Sequence, residues 1–337
     1  MARRPTILDV AAHAGLSKST VSLVLKNSPQ IRPETAALVR QSMAAVGYVY
    51  NRAAANLRSS STGLVGLVIN DLRNPFFTEF AASFQMALFR RGYATVISNS
   101  GEDPAMQAEI ITSMIEHGVS ALVISPSYGE VTATFDQIAR AGVPTLQVLR
   151  QVSPDAGQFP FSSFDYADGG LQAARHLIEE GARRIAFVGG LEGRPITAER
   201  MQGYRDEMAR IGARPIVLYG RPSRQAGADL AEQLMQDHPG VDAAICFNDL
   251  VALGMMARYA REGIRPGRDF RITGFDDIEE CAQVWPALTS VSCDITSFGQ
   301  QTAAALLDWL TDGLKPAPVH REPVRLVVRP SSTGQGL

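Results

Sequence analysis

The stretch LSKSTVSLVLK at residues 16–26 sets hydroxyl and ammonium groups along one side of a helix. Wound at 3.6 residues per turn from an N-cap at Ser17, it places Val21, Val24 and Leu25 on one face at the spacing of a buried stripe. Lys18, Ser19, Ser22 and Lys26 fall on the other face, and Leu23 lies among them. A large apolar side chain flanked by Ser and Lys marks a surface that meets a partner, or an ordinary exposed leucine. Donors and acceptors on an exposed helix face suit recognition better than bond-making. No catalytic grouping competes with this reading: the five histidines are scattered, and H-E-x-x-H, a nucleophile elbow and a P-loop are all missing. Gly189, Gly190 and Gly193 follow a strand-like run without spelling G-x-G-x-x-G. Cys246, Cys281 and Cys293 are odd in number and lack metal-ligand spacing, which is expected of reduced thiols. No enzyme, metal or cofactor is expected.

The elements around this stretch define a small head. A first helix is expected near Ile7–Ala14, stopped by Gly15 as a C′ glycine. The third starts at Pro33, allowed at a first helical position, and runs to Gly47. Two helices joined through Gly15-Leu16-Ser17 make a helix-turn-helix, whose second helix enters a major groove. Charge agrees. Residues 1–61 hold eight Lys and Arg against Asp9 and Glu34, a net +6, so the rest of the chain carries −8 of the total −2. A basic head on an acidic body suggests a polyanionic partner, with a solvated basic surface as the alternative.

After Gly47 an alanine-rich segment, Arg52–Leu57, and a Ser/Thr run form a linker that is too short to be helical alone. From Leu64, short β-branched runs alternate with amphipathic stretches, and the alternation restarts near Asp168. That pattern predicts an α/β body of two doubly wound parallel-sheet lobes. The 150–164 stretch is expected as a loop, a last helix near Thr296–Leu310 and a last strand at Val324–Val328. The expected domains are 1–50, a hinge or linker at 51–61, and the body at 62–337. The first lobe takes about 62–164 plus 294–323, and the second about 165–293 plus 324–337. Ligands in such sheets bind beyond the carboxyl ends of the strands, here in a cleft between lobes. No apolar run approaches the roughly 20 residues of a spanning helix. MARRPTILDV has no apolar segment behind its charge, so a cytoplasmic protein away from membranes is expected.

TILDVAAHAGLSKSTVSLVLKNSPQIRPETAALVRQSMAAVGYVYNRAAANLR, with NPFF at 74–77, ERMQGY at 199–204, FNDLVALG at 247–254 and GFDD at 274–277, resembles the lactose-repressor (LacI/GalR) family along essentially the whole chain. The resemblance implies a periplasmic-binding-protein-like body and an allosteric DNA-binding regulator, expected to be a repressor. Its partners would be a pseudopalindromic double-stranded operator, a sugar-like effector and a second copy in a homodimer. The final residues VVRPSSTGQGL carry no leucine heptads, so no tetramerising coil is expected. A solute-binding transport component shares the body pattern, but needs an export signal and no such head.

The resemblance puts Lys18, Ser19 and Leu23 at base-reading positions. Lys18 can donate to guanine, and Leu23 can pack on a thymine methyl or simply fill groove volume. Thr6, Ser17, Thr20, Ser22, Asn27, Arg32 and Thr35 match phosphate-facing positions, where Thr20 could equally cap its own helix. Asn51, Arg52 and Leu57 match a hinge helix whose leucine wedges into the minor groove, with Tyr50 where proline is frequent. In the body, Phe76, Phe77, Ser125, Asp165, Arg200, Asn248 and Asp276 match effector-binding positions. Their structural alternatives are core packing for the phenylalanines, helix starts for Asp165 and Asn248, and a structural acid at Asp276. Leu149 stands where the lactose repressor has an acid that serves sugar hydroxyls, which implies a less polyol-like pocket.

Overall fold

The computed structural model describes residues 3–25, 28–50, 62–129 and 131–334. The chain divides into two compact units, Met1–Thr62 and Gly63–Leu337.

The first unit holds α1 (Ile7–Ala14), α2 (Lys18–Leu25) and α3 (Pro33–Val46). Gly15, at φ +64°, ends α1, and the Leu16 N–H closes the turn on the Ala11 carbonyl at 3.0 Å. Ser17 Oγ then accepts from the Thr20 N–H at 3.1 Å and starts α2. Val10, Ala11, Val21, Val24 and Val39 form the core, so α2 is anchored by its i, i+3 valines.

In the second unit, sheet one joins β1 (Leu64–Ile69), β2 (Ala94–Asn99), β3 (Ala121–Ile124), β4 (Thr145–Val148), β5 (Phe161–Phe164) and β11 (Val319–Glu322). Its spatial order is β11-β5-β4-β3-β1-β2, with every pair parallel. Sheet two joins β6 (Ile185–Val188), β7 (Ile216–Leu218), β8 (Ala243–Cys246), β9 (Arg271–Asp276), β10 (Thr289–Ser292) and β12 (Arg325–Val327). Its order is β12-β10-β9-β8-β6-β7, parallel except for β12. The first five strands of each sheet share one topology, and the order reverses beside the first strand of each. That crevice is where such sheets take ligands.

The helices are α4 (Pro75–Arg90), α5 (Pro104–Glu116), α6 (Thr132–Ala141), α7 (Tyr166–Glu179), α8 (Pro195–Arg210), α9 (Arg224–Asp237), α10 (Asp249–Arg261), α11 (Glu280–Gln283), α12 (Ile295–Asp312) and α13 (Pro330–Thr333). The chain passes between sheets three times, after β5, after β10 and between β11 and β12. Phe298 on α12 packs against Phe80 of α4 and Phe164 of β5, which seats α12 on the first lobe. Glycines set the α7–α8 contact. A Cβ on Gly203 would lie 2.2 Å from the Leu171 nitrogen, and one on Gly170 would lie 2.3 Å from the Arg200 carbonyl oxygen.

One local expectation is corrected and another is extended. The 150–164 stretch ends in β5 rather than remaining loop, because FSSF pairs between β4 and β11 and its polar Ser163 is satisfied by the Leu149 carbonyl. The final stretch supplies two strands, β11 and β12, one to each sheet, and the expected strand at Val324–Val328 is the second of them. Gly274-Phe275 forms the interior of β9.

Candidate functional site

On the first unit, Lys18, Ser19 and Leu23 are all exposed, with Leu23 at 37 %. The Ser17 hydroxyl bonds the hydroxyls of Ser19 (2.7 Å) and Thr20 (2.8 Å), so Ser17, not Thr20, caps the helix. The Thr6 N–H and hydroxyl both donate to Asp9 at 2.7 Å, part of a capping box on α1. Ser22 and Thr35 are half-buried, and Arg32 is exposed at the start of α3. Asn27, Asn51, Arg52 and Leu57 lie outside the described residues.

In the second unit, a cavity of about 680 Å³ opens where the carboxyl ends of both sheets face each other. Both sheets contribute through the segments that follow their strands, as the shared topology dictates. After β1, Asn74 caps α4 by accepting from the Phe76 N–H at 3.1 Å, with Pro75 in the first turn. This cap turns Phe76 and Phe77 to the cavity edge-to-face, with ring centroids 5.5 Å apart. After β8, Asn248 caps α10 by accepting from the Val251 N–H at 3.1 Å and also lines the cavity.

Arg200 and Asp276 form the buried centre, at 5 % and 4 % exposure. Arg200 donates from Nη2 to Asp276 Oδ1 at 2.8 Å and from Nη1 to the Phe247 carbonyl at 2.7 Å. Its guanidinium stacks within 4.3–4.8 Å of the Phe275, Tyr166 and Phe247 rings. Burial works against the charge on Arg200, but Asp276, Tyr166 and Cys293 together outweigh it and hold the guanidinium protonated. Asp276 sits above the ordinary carboxylate range because burial outweighs the opposing pull of Arg200 and Asn74. Its backbone is held at φ +112° at the cavity wall, a strained value for a non-glycine residue. Behind it, Asp249 is pushed up to about 8, by burial first and by Asp276 second, while accepting from Ser290 Oγ and the Ile278 N–H.

A second cluster on the cavity wall joins the lobes. Tyr128 of the first lobe accepts from the Ile196 N–H of the second lobe at 3.3 Å. Arg150 and Arg194 stand over its ring at 5.1 and 5.4 Å, one from each lobe. Arg150 is held by a two-pronged pair with Glu102, at 2.6 and 2.8 Å.

Of the sequence-derived effector positions, Phe76, Phe77, Arg200, Asn248 and Asp276 come together around the cavity. Ser125 and Asp165 are not among its lining residues. The Ser125 hydroxyl is fully buried and donates to Asn70 beneath the β1–β3 strand ends. Asp165 is exposed and caps α7 through the Asp168 N–H at 3.1 Å, its helix-start alternative. Leu149 lines the cavity as an apolar side chain, at φ +65°. Sequence reasoning missed Glu102, Tyr128, Arg150, Arg194 and Arg221. Each follows a strand, and that position was the available signal; nothing in their spacing couples residues so far apart in the chain.

A sequence-reading head of helix-turn-helix type and a two-lobed ligand-binding body, in one chain, define a ligand-responsive class of DNA-binding regulators. Residues 6–51 match the lacI family of bacterial regulatory proteins, and residues 174–332 match a periplasmic binding protein-like domain. The HTH-type transcriptional regulator CelR of Thermobifida fusca is 31 % identical over 97 % of this chain and 96 % of its own. Catabolite control protein A of Priestia megaterium is 27 % identical over 97 % of this chain and 99 % of its own. The lac repressor dimer bound to operator and an anti-inducer superposes with TM-score 0.84 at 26 % identity, covering 98 % of this chain and 99 % of that one. The CelR–cellobiose complex gives 0.72 at 29 % identity, covering 97 % and 100 %. The chain belongs to the LacI family of transcriptional regulators: a DNA-binding protein with an effector-binding domain, not an enzyme.

Proposed function

We propose that this chain is a repressor that binds a pseudopalindromic operator as a homodimer and changes its operator affinity when a small sugar-like metabolite enters the body cavity. The observation that carries the reading is the cavity itself: its lining comes from the strand ends of both sheets, so one ligand contacts both lobes. A ligand that binds two lobe arrangements unequally shifts the population between them. Phe76 and Phe77 offer faces for a ring, and Arg200, Asn248 and Asp276 supply fixed polar groups. Lys18, Ser19 and Leu23 read base edges, with Thr6, Ser17, Thr20, Ser22, Asn27, Arg32 and Thr35 toward phosphates. Asn51, Arg52 and Leu57 form the minor-groove hinge. The boundaries 1–50, 51–61 and 62–337 separate head, hinge and body. Exposed Met86 and Phe89 on α4, with Val96 on the edge strand β2, support an interface with a second copy.

The relatives support the same reading. The ribose operon repressor of Halalkalibacterium halodurans is 27 % identical over 98 % of this chain, and the solved lac repressor and CelR complexes hold an operator or a sugar. The test is operator selection from random duplex DNA, followed by fluorescence anisotropy with and without a panel of sugars, sugar acids and sugar phosphates. The expected result is a two-fold-symmetric site bound by a dimer, with at least one ligand changing the affinity. Binding of a single asymmetric site by a monomer, or an affinity that no cavity ligand changes, would overturn the proposal.

A further inference from the structure

The charged side chains around the cavity are unbalanced. Among the described residues six arginines line it, Arg73, Arg150, Arg194, Arg200, Arg221 and Arg224, against three acids, Asp71, Glu102 and Asp276. All three acids are taken by arginines of the same wall: Asp71 by Arg73, Glu102 by Arg150, and Asp276 by Arg200. Arg224 pairs with Glu280 at 3.0 Å. Among the described residues, no carboxylate pairs with Arg194 or Arg221. These two belong together: the loops after β6 and β7 are joined by the Gly220 N–H donating to the Gly190 carbonyl at 3.0 Å.

Several side-chain acceptors are spent as well, although the buried Thr197 hydroxyl on this wall has no hydrogen-bond partner among the described residues. Both Glu102 oxygens receive Arg150, and both Asp71 oxygens receive Arg73. The amide oxygens of Asn74 and Asn248 are committed to helix caps, and Ser223 Oγ accepts from the Ala226 N–H. Leu149 adds no polar group. A neutral polyol needs acceptors for its hydroxyl protons, and this wall is short of free ones. What it offers is donors, two of them uncompensated guanidiniums on neighbouring loops, a geometry suited to a planar or tetrahedral oxyanion.

We propose that the effector is an anionic, carbohydrate-sized molecule whose carboxylate or phosphate group is bound by Arg194 and Arg221 of the second lobe while its body lies against Phe76 and Phe77 of the first. The assignment rests on the reading of this cavity as the effector site. It also gives that anion a role in closure. Arg194 stacks on Tyr128, so an anion on Arg194 binds beside the contact that joins the lobes.

The test is calorimetric titration of the full-length protein with matched sets: glucose, gluconate and glucose 6-phosphate; ribose, ribonate and ribose 5-phosphate; and inorganic phosphate alone. Within at least one set the anionic members bind and the neutral parent does not, and Kd rises with added salt. The carboxylate and phosphate arms separate the two sources of the anion. Arg194→Gln and Arg221→Gln each weaken the anionic ligand by on the order of tenfold or more, whereas Arg224→Gln, already paired, weakens it less. Circular dichroism confirms that the variants fold. Neutral sugars binding as well as their acids and phosphates would overturn the anionic assignment and leave the ligand-responsive reading intact. So would anion binding that neither variant weakens. Binding of no member in any set would overturn both.

Discussion

Asp276→Asn separates the charge of the buried ion pair from its shape. Asp276 is the only acid paired with Arg200 among the described residues, and the two side chains are 3 % and 6 % exposed. The substitution keeps the volume and one acceptor oxygen but leaves the guanidinium charge facing only aromatic rings and a carbonyl. Removing one member of a buried pair costs about 3–5 kcal/mol. The retained amide oxygen, and the relief of Asp249 from a neighbouring acid, place the expected cost at the lower end, about 3 kcal/mol. For a body of this size that is a fall in Tm of about 6 °C. Replacing the charge too, as Arg200→Met with Asp276→Asn, should cost less than the sum of the single changes by about 1–3 kcal/mol. Urea unfolding of the four proteins of this cycle measures it. An Asp276→Asn cost under about 1 kcal/mol, or strict additivity, would refute the account of Arg200 as a charge held in place by its partner.

Three further outcomes are expected. Leu23→Ala removes the apolar contact available to a thymine methyl, so operator affinity should fall by roughly fivefold at thymine-bearing positions; an unchanged base preference at every operator position in footprinting would end the methyl-contact idea. Gly203→Ala puts a Cβ 2.2 Å from the α7 backbone. The α7–α8 contact must then open, lowering the urea midpoint by the equivalent of about 1–3 kcal/mol and weakening ligand binding through Arg200; a variant with the parent midpoint would contradict the close packing. Asp249 is pushed up to about 8 in the folded chain from an ordinary 3.8, so the folded state holds a proton the unfolded state has lost. That contribution is whole below the unfolded value and drains away as pH rises through 8. The stability of the parent relative to Asp249→Asn should therefore drop with pH by up to about 1.4 kcal/mol per unit between pH 5 and 8 and then level off; a difference flat across that range would show that Asp249 is ionised throughout.

Much of the molecule is written in local sequence. The head helices end where Gly15 and Gly47 take left-handed backbone, and begin where Ser17 caps and Pro33 fits a first turn. These are short-range rules acting within a few residues. The strand–helix alternation that separates two lobes is equally local, as is the placement of Phe76, Phe77 and Asn248 just past strand ends. Those positions depend only on where a strand stops and a helix is capped.

What the tertiary structure decided is pairing. FSSF at 161–164 is too short and polar to declare itself a strand, and becomes one because β4 and β11 flank it. Ser125 reads as a pocket residue by position, yet its hydroxyl turns to Asn70, which lies 55 residues away in the chain. Arg150 and Glu102 meet across 48 residues, Arg200 and Asp276 across 76. No periodicity links such residues, because the forces that join them, ion pairing and exclusion from water, act only after the sheets have brought their strand ends together. Whether an arginine lining the cavity is spent or free depends on that assembly. The sequence supplies the arginines, and among the described residues the fold leaves Arg194 and Arg221 without an acid.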